Sequence, residues 1–135
     1  MLASINRNLL KAIMLADGAF SLVAGAGLVV FSGQVASLAG PAASSGIVMA
    51  IGIFLLGWGI FHLASARPPH PAEHAVRLAI AGDAAWVIGS AVILIVGRDG
   101  LSLVGIAAIA VAAVAVFDIM LLKIAGLHRR RAATA

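Results

Sequence analysis

Four long apolar stretches, each about the length of a membrane-spanning helix, dominate the pattern of hydrophobic and polar positions. They cover residues 9–31, 46–66, 76–96 and 101–122. A helix needs roughly 20 apolar residues to cross the hydrocarbon of a bilayer. None of the stretches alternates apolar and polar residues as the strands of a membrane barrel do. The pattern therefore predicts an all-α polytopic membrane protein in which residues 1–135 form one domain of four transmembrane helices.

The connections between these helices are short. Residues 97–100 read Gly-Arg-Asp-Gly, a turn sequence that predicts an antiparallel hairpin of helices 3 and 4. Residues 32–45 are rich in glycine, alanine and serine, and we expect one turn there at the membrane surface. Residues 67–71 contain three prolines and predict a stiff, extended crossover into helix 3. No loop is long enough to form a soluble domain.

Composition supports a membrane location. Of the 135 residues, 63% are hydrophobic and only 10% are charged, whereas a soluble domain carries charge on roughly a quarter of its residues. The chain contains no cysteine, which excludes disulfides, thiolate zinc sites and covalently attached haem.

Basic residues lie almost entirely on one side of the predicted membrane. That side has Arg7, Lys11, Arg67, Arg77, Lys123, Arg129, Arg130 and Arg131, and the other has only Arg98. By the positive-inside rule, both termini are cytoplasmic. So strong a bias also argues against insertion in both orientations, since such proteins carry nearly balanced charges.

An internal repeat relates helix 1 to helix 3. Shifting the chain against itself by 66 positions pairs Lys11, Asp17, Ala19 and Phe20 with Arg77, Asp83, Ala85 and Trp86. The two helices run in the same direction through the membrane. We therefore predict two helical hairpins that form a parallel repeat about an axis along the membrane normal.

Four polar residues inside the predicted spans are the candidate site: Asp17, His62, Asp83 and Asp118. Each lies five or six residues inward from a basic residue, which places all four about 7 to 9 Å inside the belt of positive charge. Because ionised groups are unfavourable in hydrocarbon, we expect them to face one another. Helical spacing places Trp58 and Trp86 on the membrane side of this cluster, where they can pack against it or, with His62, contact a ligand such as a quinone or haem.

Several interpretations of the cluster are open. Its members can act as interhelical hydrogen bonds that hold the bundle together, or as a path for protons or cations. A metal held by one histidine and three aspartates has no supporting spacing, and haem ligation by His62 lacks a second axial histidine. The string His-Pro-Ala-Glu-His at residues 70–74 has a proline where a zinc-binding helix is required. We predict no catalytic residue, no metal and no cofactor.

The chain resembles a group of small bacterial integral membrane proteins with four helices. The resemblance rests on Asp17, Ser21 and Gly25 in helix 1, Gly52 in helix 2, Asp83, Trp86 and Ser90 in helix 3, and Ser102, Gly105, Phe117 and Gly126-Leu127 with the arginines that follow them. It implies a four-helix fold and the bacterial inner membrane, and it implies no activity.

Taken together, these observations favour a protein that is not an enzyme. We expect an accessory, assembly or stabilising subunit that acts through helix contacts, in a homo-oligomer or a larger membrane complex. The alternative is an oligomeric transporter or channel that uses intramembrane aspartates for protons or cations. The basic tail indicates contact with anionic lipid rather than with nucleic acid.

Overall fold

The computed structural model describes residues 8–134, with side chains to residue 133, and that part of the chain is helical without any strand. Its helices are α1 (Leu9–Val30), α2 (Ser32–Ala39), α3 (Ser45–Ser65), α4 (Glu73–Val96) and α5 (Leu103–Thr134), with a short 3-10 turn at Arg98–Gly100. The helices α1, α3, α4 and α5 are long and apolar enough to cross a membrane. The predicted all-α polytopic class is confirmed. Arg7, counted above with the basic residues, lies outside the described residues.

Two elements differ from the prediction. The stretch expected to hold one turn contains α2, which starts at Ser32 with only Phe31 between it and the end of α1 at Val30. Helix α5 continues past residue 122 to Thr134, because the sequence beyond Lys123 contains no proline and is rich in helix-forming residues. The prediction placed the helix end at Lys123 because it took that charge as the edge of the membrane.

Contacts between loops join the two hairpins at the end where α1 finishes. The backbone N–H of Ser102 donates to Ala39 O at 2.8 Å, and that of Ala42 donates to Gly100 O at 2.8 Å. Gly40, which ends α2, has a φ of 117°, and an added Cβ there would lie 2.9 Å from Gly100 O. Glycine is required at this position both by its backbone angle and by the close approach.

Backbone contacts at glycine pack α1 tightly against α3, which runs antiparallel to it. Gly25 faces Gly52, and a Cβ on Gly25 would lie 2.8 Å from Gly52 O. Seven residues away on each helix, Gly18 faces Gly59, where a Cβ on Gly59 would lie 2.8 Å from Gly18 O. Small residues allow helices to approach this closely in membranes, where dispersion and weak polar contacts drive association.

Helix α4 packs mainly against α5, and α1 also contacts α5, so that the two hairpins share the α1–α5 interface. We call the end where α1 and α4 begin and α3 and α5 finish the basic end, because it carries Lys11, Arg67, Arg77 and Arg129 to Arg131. There Arg130 Nη1 donates to Pro71 O at 2.6 Å, and Arg131 pairs with Glu73. These bonds hold the end of α5 against the start of α4.

The buried apolar core lies near the basic end. It consists of Leu10, Met14, Ala66, Val76, Ala79 and Leu127, with Phe61 and Ile80 packed against it. Away from this region many of the large apolar side chains of the spans are exposed, as expected for helices whose solvent is lipid.

Candidate functional site

A lysine ammonium lies at the centre of the polar cluster. The Nζ atom of Lys123 is 2.5 Å from Asp17 Oδ2, 2.7 Å from Asp83 Oδ2 and 3.0 Å from His62 Nε2. An ammonium has three N–H donors, and here each of them has one acceptor. We call Asp17, His62, Asp83 and Lys123 the ion cluster.

Each of the four long helices contributes one member to the ion cluster: α1 Asp17, α3 His62, α4 Asp83 and α5 Lys123. The exposed fraction is 0% for both Lys123 and His62, 3% for Asp83 and 7% for Asp17. Charged groups buried this deeply are tolerated only when they are paired and hydrogen-bonded. The cluster therefore links all four long helices through side-chain contacts at one place in the bundle.

The ring of His62 is oriented by its own helix. Its Nδ1 lies 2.9 Å from Trp58 O, one turn earlier on α3. A carbonyl oxygen can only accept, so Nδ1 carries a proton and donates. On the other side of the ring, Nε2 lies 3.0 Å from both Lys123 Nζ and Asp17 Oδ2.

This geometry allows two protonation states of His62. Without a proton, Nε2 accepts a hydrogen bond from Lys123, and one ammonium then faces two carboxylates. With a proton, Nε2 donates to Asp17, and the charges of the four side chains balance. Only the state with a bare Nε2 keeps the hydrogen bond from Lys123, because two N–H groups 3.0 Å apart cannot bond to each other.

An apolar layer separates the ion cluster from the basic end. The layer lies one or two turns from each cluster member on the same helix face, and it comprises Leu10 and Met14 on α1, Ala66 after α3, Val76 and Ala79 on α4, and Leu127 on α5. Met14, Ala66, Val76 and Ala79 are fully buried. Water at the basic end is therefore kept apart from the charges.

Small polar residues and tryptophans lie on the opposite side of the cluster. The hydroxyl of Ser21 approaches Asp17 Oδ1 at 3.5 Å. The Trp58 ring meets His62 edge-on, with centroids 5.0 Å apart, and its far edge packs on Gly82, the residue before Asp83. The indole Nε1 of Trp86 is buried without a hydrogen-bond partner among the described residues.

Asp118 does not join the cluster with which the sequence analysis grouped it. Its side chain is on an exposed face of α5. Because α5 continues to Thr134, the positive charges at its end are Arg129 to Arg131 rather than Lys123. Asp118 lies five residues further from them than Lys123 does, and therefore at a different depth from Asp17 and Asp83.

Sequence reasoning missed Lys123 as a member of the site, because it counted that residue among those that set orientation. The number of residues between Lys123 and the next basic residue could have indicated its place in the site. Lys123 lies six residues before Arg129, as Asp17 lies six residues after Lys11 and Asp83 six after Arg77. Equal spacing from a charged belt places all three at equal depth.

Three members of the cluster also have the donor set of a metal site. The nearest ligand atoms of Asp17, His62 and Asp83 all lie within 4.8 Å of one another, and two carboxylates with one imidazole suit several divalent ions. However, the ammonium of Lys123 occupies the position between them. A metal ion would therefore have to displace that side chain.

In comparisons with known proteins, no family model, curated protein or solved structure matches this chain.

Proposed function

We propose that this chain is an integral protein of the bacterial inner membrane that has no catalytic machinery and acts as an accessory, assembly or stabilising subunit through its helices. Both termini are cytoplasmic in this proposal. The observation that carries it is the ion cluster, in which three acceptors use all three donors of Lys123 within a buried site.

This arrangement has the features expected of a cluster that holds helices together. A substrate or ion that used Asp17 and Asp83 would have to reach them, yet the apolar layer covers them from the basic end. A cavity of about 570 Å³ lies at the basic end, and one of about 270 Å³ lies between α4 and α5; no cluster member lines either of them. The charges join helices instead of lining a passage.

The outer surface supports a role in protein contacts. Helix α5 buries only 6% of its most apolar window inside the chain, compared with 28% for α1. Seven of the twelve exposed residues between positions 103 and 125 are alanine or valine, a composition that allows close helix packing. The orientation is supported by the basic residues outside the ion cluster in the described part of the chain: Lys11, Arg67, Arg77 and three arginines of α5 lie at the basic end, and only Arg98 lies at the other end.

Mild detergent extraction from native membranes tests this proposal. The tagged chain is purified without heating, its mass in the detergent complex is measured, and co-purifying proteins are identified. We expect an assembly larger than one chain. A single chain with no companion, at expression close to the native level, would contradict the proposal.

The second candidate is a proton-coupled transporter or channel. The observation that favours it is His62 Nε2, which lies 3.0 Å from both the Lys123 ammonium and an Asp17 carboxylate oxygen. Buried serines continue away from the basic end, with Ser21 one turn beyond Asp17 and Ser90 two turns beyond Asp83. Ser21 is 3.5 Å from Asp17 Oδ1, and polar residues placed in this way inside a span mark candidate proton paths.

Proton flux into vesicles separates the two candidates. Protein reconstituted into liposomes with an entrapped pH dye is given a pH gradient, and the rate is compared with that of protein-free liposomes. The subunit proposal predicts equal rates. A faster rate that His62→Gln abolishes, in a variant with an unchanged size-exclusion profile, would favour the transporter. The matched control is His128→Gln, because His128 is exposed and outside the cluster.

A further inference from the structure

Asp118 is a carboxyl group on the lipid-facing side of a membrane span. It lies eleven residues before Arg129 and fifteen after Leu103, or about 16 Å and 22 Å along the helix axis. It has no hydrogen-bond or ion-pair partner among the described residues. Because hydrocarbon does not solvate a carboxyl group, a residue at this depth is expected to face protein or water.

A regular seam of α5 runs through Asp118. Positions spaced alternately by four and three residues are all exposed, and they are Val104, Ala108, Val111, Ala115, Asp118, Leu122 and Ala125. This spacing is the a/d pattern of a left-handed coiled coil. Five of the seven residues are alanine or valine, so a second helix can approach closely. One polar residue within such a seam sets the register of the pair.

On a facing α5 helix, Asp118 is the polar side chain at the required depth. Ser21, Ser90 and the four residues of the ion cluster are buried within the bundle. Trp58 is half-buried on α3, with the far edge of its ring against Gly82, and does not lie on the α5 seam. A second copy that docks through its own α5 therefore brings Asp118 against Asp118.

Symmetry brings these two residues together. The basic residues gather at one end of the bundle, so all copies enter the membrane in the same orientation. A two-fold axis between such copies is parallel to the membrane normal, and equivalent residues on two facing α5 helices then lie at equal depth. Two carboxyl groups that share a proton form a hydrogen bond, with the protonated group as donor.

We propose that two copies of this chain associate through parallel α5 helices along this seam, with the two Asp118 side chains hydrogen-bonded across the interface. This inference deepens the proposed function and rests on it, since it names the surface and the partner through which the chain acts. The interface also covers the carboxyl groups that the isolated chain leaves in lipid.

Cysteine crosslinking tests the seam directly, because the chain contains no cysteine of its own. Val111→Cys places a thiol on the seam, and Val23→Cys is its matched control on α1. The two valines are 70% and 74% exposed. After oxidation in native membranes, we expect a disulfide-linked dimer of the chain from Val111→Cys and from Ala115→Cys, and a monomer from Val23→Cys.

Two results would overturn the inference. One is equal dimer yield from Val23→Cys and Val111→Cys, which indicates random collision. The other is crosslinking of the seam cysteines to a different protein only. That second result leaves the proposed role in helix contacts standing, because the chain then has a partner other than itself. Failure of the proposed function would appear instead as a single chain without any partner in mild detergent.

Two variants of Asp118 test its part in the contact, and both leave the fold intact because the side chain lies outside the bundle. Asn can donate and accept, so Asp118→Asn is expected to keep the dimer. Asp118→Leu removes the hydrogen bond and is expected to weaken dimerisation roughly tenfold, measured by energy transfer between labelled copies in liposomes. Dimerisation of the Leu variant equal to that of the original chain would overturn the assignment of Asp118.

Discussion

The Lys123 ammonium and the Asp17 carboxylate, 106 positions apart in the chain, are joined at 2.5 Å inside the bundle. This contact links α5 of the second hairpin to α1 of the first. The same ammonium binds Asp83 on α4 at 2.7 Å, so one side chain connects the two hairpins and the two carboxylates related by the repeat. The stability of the bundle is therefore expected to depend strongly on Lys123.

Removal of the Lys123 charge should destabilise the protein more than removal of any exposed basic residue. Lys123→Met leaves two buried carboxylates without their cation, and breaking a buried ion pair in this way costs about 3 to 5 kcal/mol. The free energy of unfolding is measured by titration of the purified protein with a denaturing detergent.

The control for this prediction is Lys11→Met, since Lys11 is a basic residue outside the cluster whose Nζ contacts Arg67 O at 3.4 Å. We expect a change below about 1 kcal/mol. The triple variant Lys123→Met, Asp17→Asn, Asp83→Asn removes the unpaired charges along with the lysine, and it should recover much of the lost stability. If the triple variant is no more stable than Lys123→Met, the loss comes from packing and not from charge.

The fold was largely predictable from sequence because an apolar stretch of about 20 residues commonly forms a transmembrane α-helix. The four long helices were therefore found by their length. Helix ends were less certain, because a charged residue close to a span can lie either outside it or within its polar interior. Lys123 was of the second kind, and α5 consequently extends to Thr134.

The site was predictable only in part. Periodicity and the repeat pair Asp17 with Asp83, and in the structure both carboxylates contact Lys123 Nζ. They do not specify how a helix is rotated when its exposed face is as apolar as its buried face. Helix α5 is apolar on all sides, and only tertiary packing turns Lys123 inward and Asp118 outward.

The protonation of His62 can be observed directly. Because Nδ1 donates to Trp58 O at 2.9 Å, Nδ1 should carry a proton whether or not Nε2 does. Nitrogen-15 NMR of histidine-labelled protein in liposomes distinguishes protonated from bare ring nitrogens. The signal of His62 is identified by its loss in His62→Gln.

The exposed His128 on α5 serves as the comparison for this experiment, since it lies outside the cluster. We expect it to show the mixture of tautomers that is typical of solvated imidazole. A neutral His62 ring with a proton on Nε2 alone would contradict the hydrogen bond to Trp58 and the proposed pairing with Lys123.

The two tryptophans should respond differently to substitution by phenylalanine. Trp86 buries an indole N–H without a partner, a state that costs about 1 to 3 kcal/mol. Trp86→Phe removes this group, and the gain offsets the smaller ring, so we expect stability within about 1 kcal/mol of the original protein.

In contrast, the far edge of Trp58 packs on Gly82, and Trp58→Phe should lose about 1 to 2 kcal/mol by leaving a void. Equal losses would show that Trp86 Nε1 has a partner in the membrane.

The α1–α3 interface should tolerate no side chain at its glycine contacts. A Cβ on Gly25 would lie 2.8 Å from Gly52 O and 2.9 Å from the backbone nitrogen of Leu56. Backbone atoms cannot move aside without separating the helices, so Gly25→Ala should reduce the free energy of unfolding by about 1 to 3 kcal/mol.

The control is Gly27, two residues later on the same helix, which has open space around it. There alanine should leave stability unchanged or raise it by up to about 1 kcal/mol, because alanine favours the helical backbone over glycine. The pair is compared by thermal unfolding in one detergent, and equal effects of the two substitutions would exclude the predicted backbone contact.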